Sequence, residues 1–525
     1  MKKNIIYLTL ITAGAVLFNL VFWQEKLGIN TVLFDAFLLF ALSLLYPQAR
    51  QNTTVRWLLV GHLICLAMVI VHNTMLSKIA FITTLLLLTA FTEYVHKSAW
   101  FAGGSVLLNV IFCAASFTEQ LQYLKPVKMR KGSVGKLIRF AILPMLLLFI
   151  FFVIYLAANS IFQEIASKMG WYLEQFFIKL SSIFAWQRIL FLLLGLYLTA
   201  TILLKSRVNY FSNKDVTHTD ELQRVRMKRR LRPFYQLSKI IMGKLTDGMM
   251  ALKNENTIGF ISLVLLNLLL AVINTIDISY LWFNASYRIN EPAYKMVHQG
   301  AELLILSIIL AMAVLLFFFK GNLNFYKRNK WLKYGAAAWI IQNLLLVVSV
   351  FIRDYYYISR SGLAYKRIGV LFFLLMVLAG LITMFVKIWQ QKTTYFLLRV
   401  NAWTGVTVLV LASAIHWDEL IAGYNLRHKD TIELDVPFLL SLSDKALPLL
   451  DKNIDALQQR QDTVQRDKPI QPGTEGACTT CYVDQLRKRE SHFIEKQQQL
   501  SWLSWNYADE RTRQYLSKKP ISVIH

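Results

Sequence analysis

The residues able to do chemistry gather around five apolar stretches between Thr257 and Asn425. Asn267, Asn274 and Asp277 fall within about 80° of arc on one helical face at ~100° per residue. His298 and Glu302 stand one turn apart, so their side chains share a face. Asp277 and Glu302 each lie about one turn inside the same membrane boundary. Arg353 and Asp354 are expected to cap the next outward helix, with Arg360, Lys366 and Arg367 following, and His416, Asp418 and Glu419 to cap the last. Ionisable groups near hydrocarbon are costly, so they are paired or they serve a function. Two readings follow. In one, salt bridges and caps lock the outer loops and dock the C-terminal tail. In the other, Asp277, His298, Glu302, Arg353, Arg367, His416 and Asp418 form a pocket for an ion, proton or small polar ligand. The His/Glu spacing also suits two metal ligands, but it lacks a matching third, and no metal or other cofactor is expected.

The segments that position these residues are Thr257–Trp282, Gly300–Phe319, Trp331–Ile352, Ile368–Trp389 and Leu397–Trp417. Each can cross a hydrocarbon core of about 30 Å, which takes roughly 20 helical residues. Earlier runs lie at Ile5–Trp23, Thr31–Tyr46, Trp57–Val71, Ile79–Val95, Trp100–Phe117, Leu137–Ala158 and Ile189–Leu204. About twelve transmembrane helices are therefore expected. Residues 160–186, with Glu164, Lys168, Glu174 and Lys179 at helical spacing, read as an interfacial amphipathic helix or a packed hairpin. The fold class is an all-α polytopic membrane protein. Its parts are N-terminal helices over 1–204, a basic loop over 205–256, a five-helix bundle over 257–417 and a helical extramembrane tail over 418–525.

Composition excludes the soluble classes. Of 525 residues, 56% are hydrophobic and 17% charged, and mean hydropathy is +0.44. Lys and Arg outnumber Asp and Glu by 57 to 31. That excess sits in alternate loops, as orientation in a membrane requires, so nucleic acid is not the expected partner. The Arg224–Arg232 cluster should be cytoplasmic and meet anionic lipid head groups of the inner (plasma) membrane. Seven spans before Lys205 would place Lys2 and Lys3 outside, whereas six or eight would place them inside. The tail then emerges outside the cytoplasm, where a protein partner could meet it. There Cys478 and Cys481 read first as a disulfide, and a zinc site that recruits His492 or His428 is the alternative. Phosphate-loop, dinucleotide, zincin and nucleophile-elbow patterns are absent, so no catalytic residue is expected.

Several stretches resemble a bacterial family of multi-pass membrane proteins. Tyr294–Gly300 matches a "YxxxHQG" element, and Arg353–Arg367 is similar to a "YxxxxGLTxxR" stretch. Trp417–Leu426, Asp435–Pro448 and Trp502–Asn506 carry further likeness. The resemblance is to the domains of unknown function 4153 and 4173, over roughly Ile273–Leu516. Gly423 stands where that pattern shows Arg, and Ala364 where it shows Thr. The resemblance implies a membrane fold and no particular activity. Transport or permeation is one expectation for function, and a membrane-anchored structural or signalling scaffold of the cell envelope is the alternative.

Overall fold

The computed structural model describes residues 2–122, most of 144–171, 186–206, 208–223, 251–282, 301–319, 322–459 and 482–518. Among these every regular element is helical. Helix is what a membrane selects, because backbone polar groups in hydrocarbon must pair within their own segment. The N-terminal elements are α1 (Lys2–Phe22), α2 (Ile29–Leu45), α3 (Thr53–Val71), α4 (Met75–Glu93) and α5 (Ala99–Gln122). Then come α6 (Trp186–Leu203), the short α7 (Tyr210–Thr217), α8 (Ala251–Asp277) and α9 (Ala301–Phe318). The bundle is completed by α10 (Lys330–Ser361), α11 (Tyr365–Trp389) and α12 (Thr394–Ser413). The tail holds α13 (Trp417–Arg427), α14 (Val436–Ser441), α15 (Leu447–Lys452), α16 (Tyr482–Gln498) and α17 (Tyr507–Ser517).

Among the described residues, nine helices are long and apolar enough to cross a membrane. Two shorter apolar helices, Ile29–Leu45 and Leu303–Phe318, accompany them. Half of the expected span at Leu137–Ala158 lies outside the described residues, and Arg224–Arg232, His298, Cys478 and Cys481 lie outside them altogether. Residues 161–171 are helical and mostly exposed, with Lys168 paired to Glu164 at 2.7 Å.

The chain forms two compact units, Met1–Arg50 with Val106–Val208, and Gln51–Ser105 with Asn209–His525. In the first, α1 and α6 run antiparallel. Gly14 faces Thr199, where a Cβ would come within 2.5 Å of the threonine methyl, and Phe18 stacks on Phe191. A small residue at the crossing lets the backbones approach, which is how helices associate in lipid. Asn19 and Arg188 join the other ends of the two helices, with Arg188 Nε donating to Asn19 Oδ1 at 3.2 Å. The residues preceding Gly14 therefore lie at the same end as Lys205.

In the second unit, α8, α9, α10 and α11 share a core that includes Leu263, Ile308, Leu315, Leu332, Leu346 and Leu381. Side chains on the outer faces, such as Leu268, Leu310 and Ile341, are more than half exposed, as lipid-facing residues are. Caps fix where several helices start. Thr74 accepts from the Ser77 N–H before α4, and Thr393 from the Phe396 N–H before α12. A second core, including Leu363, Ile368, Ile421, Leu450, Leu486 and Phe493, joins the tail to the start of α11.

Candidate functional site

The asparagines and aspartate on one face of α8 meet α10 along its length. Asn267 Nδ2 donates to the Gly335 carbonyl at 3.0 Å, and Asn267 Oδ1 accepts from Gln342 Nε2 at 2.7 Å. Asn274 Nδ2 donates to the Gln342 carbonyl at 3.1 Å. At the end of the helix Arg353 Nη2 donates to Asp277 Oδ1 at 2.5 Å. Trp282, in the π-helical turn Ile278–Trp282, donates to Ser349 Oγ at 3.2 Å. This polar seam joins the two helices, although Asn274 Oδ1, Asp277 Oδ2, Gln342 Oε1 and Arg353 Nε are buried in it without a hydrogen-bond partner. The Asp277 and Arg353 side chains are only 8% and 19% exposed, which makes the pair a desolvated one.

Arg353 and Asp354 do not cap a helix. The chain stays helical for two more turns to Ser361, and Gly362 stops it with a φ of +77°. Arg367 folds back on that stop, donating to the Ser361 carbonyl at 2.8 Å and to the Gly362 carbonyl, with its guanidinium 4.1 Å from the Tyr357 ring centroid. Asp354 is buried at 3% exposure, with Oδ2 lacking a hydrogen-bond partner and Arg367 as its electrostatic neighbour. Glu302 sits in the first turn of α9.

His416 and Asp418 belong to a different place, the tail junction. His416 does not cap α12. It precedes α13, where its Nδ1 accepts from the Glu419 N–H at 3.2 Å. An accepting Nδ1 leaves the proton of a neutral ring on Nε2, and that atom is buried without a partner. Burial first, then the charges of Lys445, His72 and Arg511, hold the His416 pKa down to about 4. His72 is lowered as well, chiefly by burial. The two rings meet edge to face at 5.3 Å. Asp418 accepts from Ser443, and Glu419 pairs with Arg511 at 2.9 Å. Lys445 reaches the last carbonyls of α3, donating to His72 at 2.8 Å and to Asn73. Cations at a helix C-terminus are favourable.

A second buried network lies at the opposite end of this unit. Asp215 on α7 accepts from His96 Nδ1 at 2.9 Å, the Lys97 and Ser98 N–H groups at 2.8 and 3.1 Å, and Tyr395 OH at 2.5 Å. His96 Nε2 meets Ser105 Oγ at 2.9 Å. Burial pushes the Asp215 pKa up, but these donors outweigh it and the net shift is downward. Nearby, Lys387 is 1% exposed and donates to the Phe319 carbonyl at 2.8 Å, at the C-terminus of α9.

The family described as "Domain of unknown function (DUF4153)" matches residues 11–453. The chain belongs to the DUF4153 family. The match reaches further towards the N-terminus than the likeness over Ile273–Leu516, and it stops short of Trp502–Asn506. No curated protein and no solved structure matches the chain.

In this DUF4153 chain the residues expected to form one pocket have distinct partners. Asp277 joins Arg353, Arg367 joins the Gly362 turn, and His416 and Asp418 join the tail junction. The Asp215–His96–Ser105 order is that of a nucleophilic triad. Here, however, Ser105 is 1% exposed within α5 and Asp215 is 0% exposed. A nucleophile needs a site where a reacting atom can sit. The network instead fastens α7 to the α4–α5 corner and to α12. The sequence offered little to find it, since His96 and Asp215 are separated by 119 residues.

Proposed function

We propose that this DUF4153 protein is a membrane-embedded platform that holds its C-terminal helical tail in a fixed position outside the cytoplasm of the plasma membrane. The observation that carries this reading is the tail junction. Asn425 clamps the Leu363 backbone between α10 and α11, Lys445 caps α3, and the Trp417 indole donates to the Ala412 carbonyl at 2.9 Å. The tail is thereby tied to the outer ends of α3, α10, α11 and α12. The polar seam supports the same reading, because its amides and its ion pair join helix to helix.

Orientation follows from the Lys/Arg loops, which favour the cytoplasm. With α1 antiparallel to α6, Lys2 and Lys3 share the Lys205 end. An even number of spans then precedes Lys205, and with the five later helices the total is eleven or thirteen. Transport of an ion or small polar ligand is the competing reading, and it requires water to reach Asp277.

The two readings are separated by one set of experiments. Photo-reactive residues placed at Trp502 or Tyr507, which are 67% and 52% exposed, should form adducts with envelope proteins in cells. Asn425→Ala should abolish those adducts while the bundle still inserts. Absence of adducts, together with solute uptake into proteoliposomes that Asp277→Asn eliminates, would replace the platform with a transporter.

A further inference from the structure

A groove of about 420 Å³ runs along one stripe of α12, lined by Arg399, Val400, Trp403, Thr404, Thr407 and Val408. Eight residue steps separate Arg399 from Thr407, about 12 Å of helix. The wall is apolar despite its threonines. Thr404 Oγ1 donates to the Val400 carbonyl at 3.0 Å and Thr407 Oγ1 to the Trp403 carbonyl at 3.0 Å, which leaves their methyls to the groove. The Trp403 indole N–H is also engaged, on the Lys97 carbonyl at 3.2 Å.

One end of the stripe is different. Arg399 lies less than two turns from the start of α12, in the half of the helix next to the Asp220–Leu222 segment. Its Nη2 donates to Asp220 Oδ2 at 2.5 Å, while its Nε is buried with no partner. A guanidinium carries five donors in a planar fork suited to phosphate. Lys97, whose carbonyl takes the Trp403 indole N–H, is exposed, and among the described residues its ammonium donates to the Val216 carbonyl at 3.4 Å. A cation whose side chain is 29% exposed at the rim of an apolar furrow on a membrane helix matches one kind of molecule. An acyl chain fills the furrow, and an anionic head group meets the cations.

We propose that the α12 groove binds one anionic phospholipid of the cytoplasmic leaflet, its phosphate on Arg399 and an acyl chain along Val400, Trp403, Thr404 and Val408. The site rests on the membrane setting of α12 and does not depend on the platform reading. Bound there, the phosphate competes with Asp220 for Arg399. The segment that carries Asp220 is held to the α11–α12 turn by the Thr393 N–H donating to the Asp220 carbonyl at 2.8 Å and by Leu222 on Gln391 at 3.0 Å. Lipid and loop thus share one arginine.

The test uses the full chain purified in a neutral detergent and titrated with phosphatidylglycerol, read by native mass spectrometry and by thermal melting. Wild type should retain one lipid and melt at a higher temperature in its presence, while inorganic phosphate alone should do neither. Arg399→Gln should weaken retention about tenfold, the worth of one charge-assisted hydrogen bond. Thr404→Trp, which fills the furrow and keeps the arginine, should weaken it as well. Asp220→Asn breaks the same ion pair but frees the guanidinium, so it should bind at least as tightly as wild type. Loss of lipid in Asp220→Asn equal to that in Arg399→Gln would show that only the ion pair matters and would overturn the proposal. Retention unchanged in both Arg399→Gln and Thr404→Trp would overturn it too.

Discussion

Asn425 and Leu363 are joined by two hydrogen bonds across 62 residues of sequence: Asn425 Nδ2 donates to the Leu363 carbonyl at 2.9 Å, and Asn425 Oδ1 accepts the Leu363 N–H at 2.6 Å. One amide side chain thus stands in for a strand partner at a turn whose backbone has no helical partner to use. Gly362 makes this possible, since a Cβ there would lie 2.5 Å from Asn425 Oδ1 and the φ of +77° disfavours any side chain.

Replacing either residue should loosen the tail more than the bundle. Asn425→Ala leaves a buried N–H and C=O without partners, at about 1–3 kcal/mol each. Gly362→Ala adds backbone strain of about 1–3 kcal/mol and pushes on the same amide. Limited proteolysis of vesicles should cut the tail of both variants faster than that of wild type, with α8–α11 still protected. Equal resistance would show that the clamp does not hold the tail.

The Asp277–Arg353 pair should be structural in its energetics. Breaking a desolvated pair by removing one charge costs about 3–5 kcal/mol, because the remaining charge is left in a poor medium. Asp277→Asn and Arg353→Gln should each lower the melting temperature in detergent. The double variant should lose less than the sum of the two, because neither charge is then stranded. Additive losses would mean that the two side chains do not support each other.

How much of this was legible in the sequence differs by kind of feature. The long apolar runs needed only length and composition, and the stripe of Asn267, Asn274 and Asp277 needed only helical geometry. The seam was half visible for that reason, while its partners Gly335 and Gln342 were not, since no periodicity marks a backbone carbonyl. Arg353 and Asp354 suggested a helix end because charges usually sit there. Tyr355, Tyr356, Tyr357 and Ile358 are all compatible with helix, so the stop falls at Gly362 instead. His416 was read as the end of a span, but the apolar residues of α13 begin a new helix directly after it. Nothing in the sequence marks Lys387, and only the fold reveals that it is buried against the end of α9.

Tail docking should weaken in acid. A histidine whose folded pKa lies below its unfolded value binds fewer protons when folded, so stability rises with pH across the interval between the two. For His416 the interval runs from about 4 to the ordinary 6.5, and His72 is shifted the same way. The contribution is complete above the upper limit and falls away towards the lower one, by up to about 3 kcal/mol. Asp215 does not explain a loss in that window, because its depressed pKa moves its titration below the usual carboxylate value of 3.8. Tail proteolysis followed from pH 7.5 to 4.5 should accelerate in wild type and less so in His416→Gln. Identical pH profiles would remove His416 from the account.

The antiparallel packing of α1 on α6 makes the last prediction, which concerns the side of the membrane on which each end lies. Gly14 opposite Thr199, and Asn19 beside Arg188, fix the direction of both helices. Lys3 and the exposed Asn213 should then both face the cytoplasm, where the Lys/Arg excess is favoured. In intact cells a membrane-impermeant maleimide should leave Lys3→Cys and Asn213→Cys unlabelled, each in a background with Cys478 and Cys481 replaced by serine. Both should label once the membrane is opened. In the parent chain, the same reagent should reach Cys478 and Cys481 from outside after gentle reduction. Cys65 and Cys113 are buried and should contribute little to either signal. Labelling of Lys3→Cys from outside, with Asn213→Cys protected, would require an odd number of spans before Lys205 and would contradict the packing of α1 against α6.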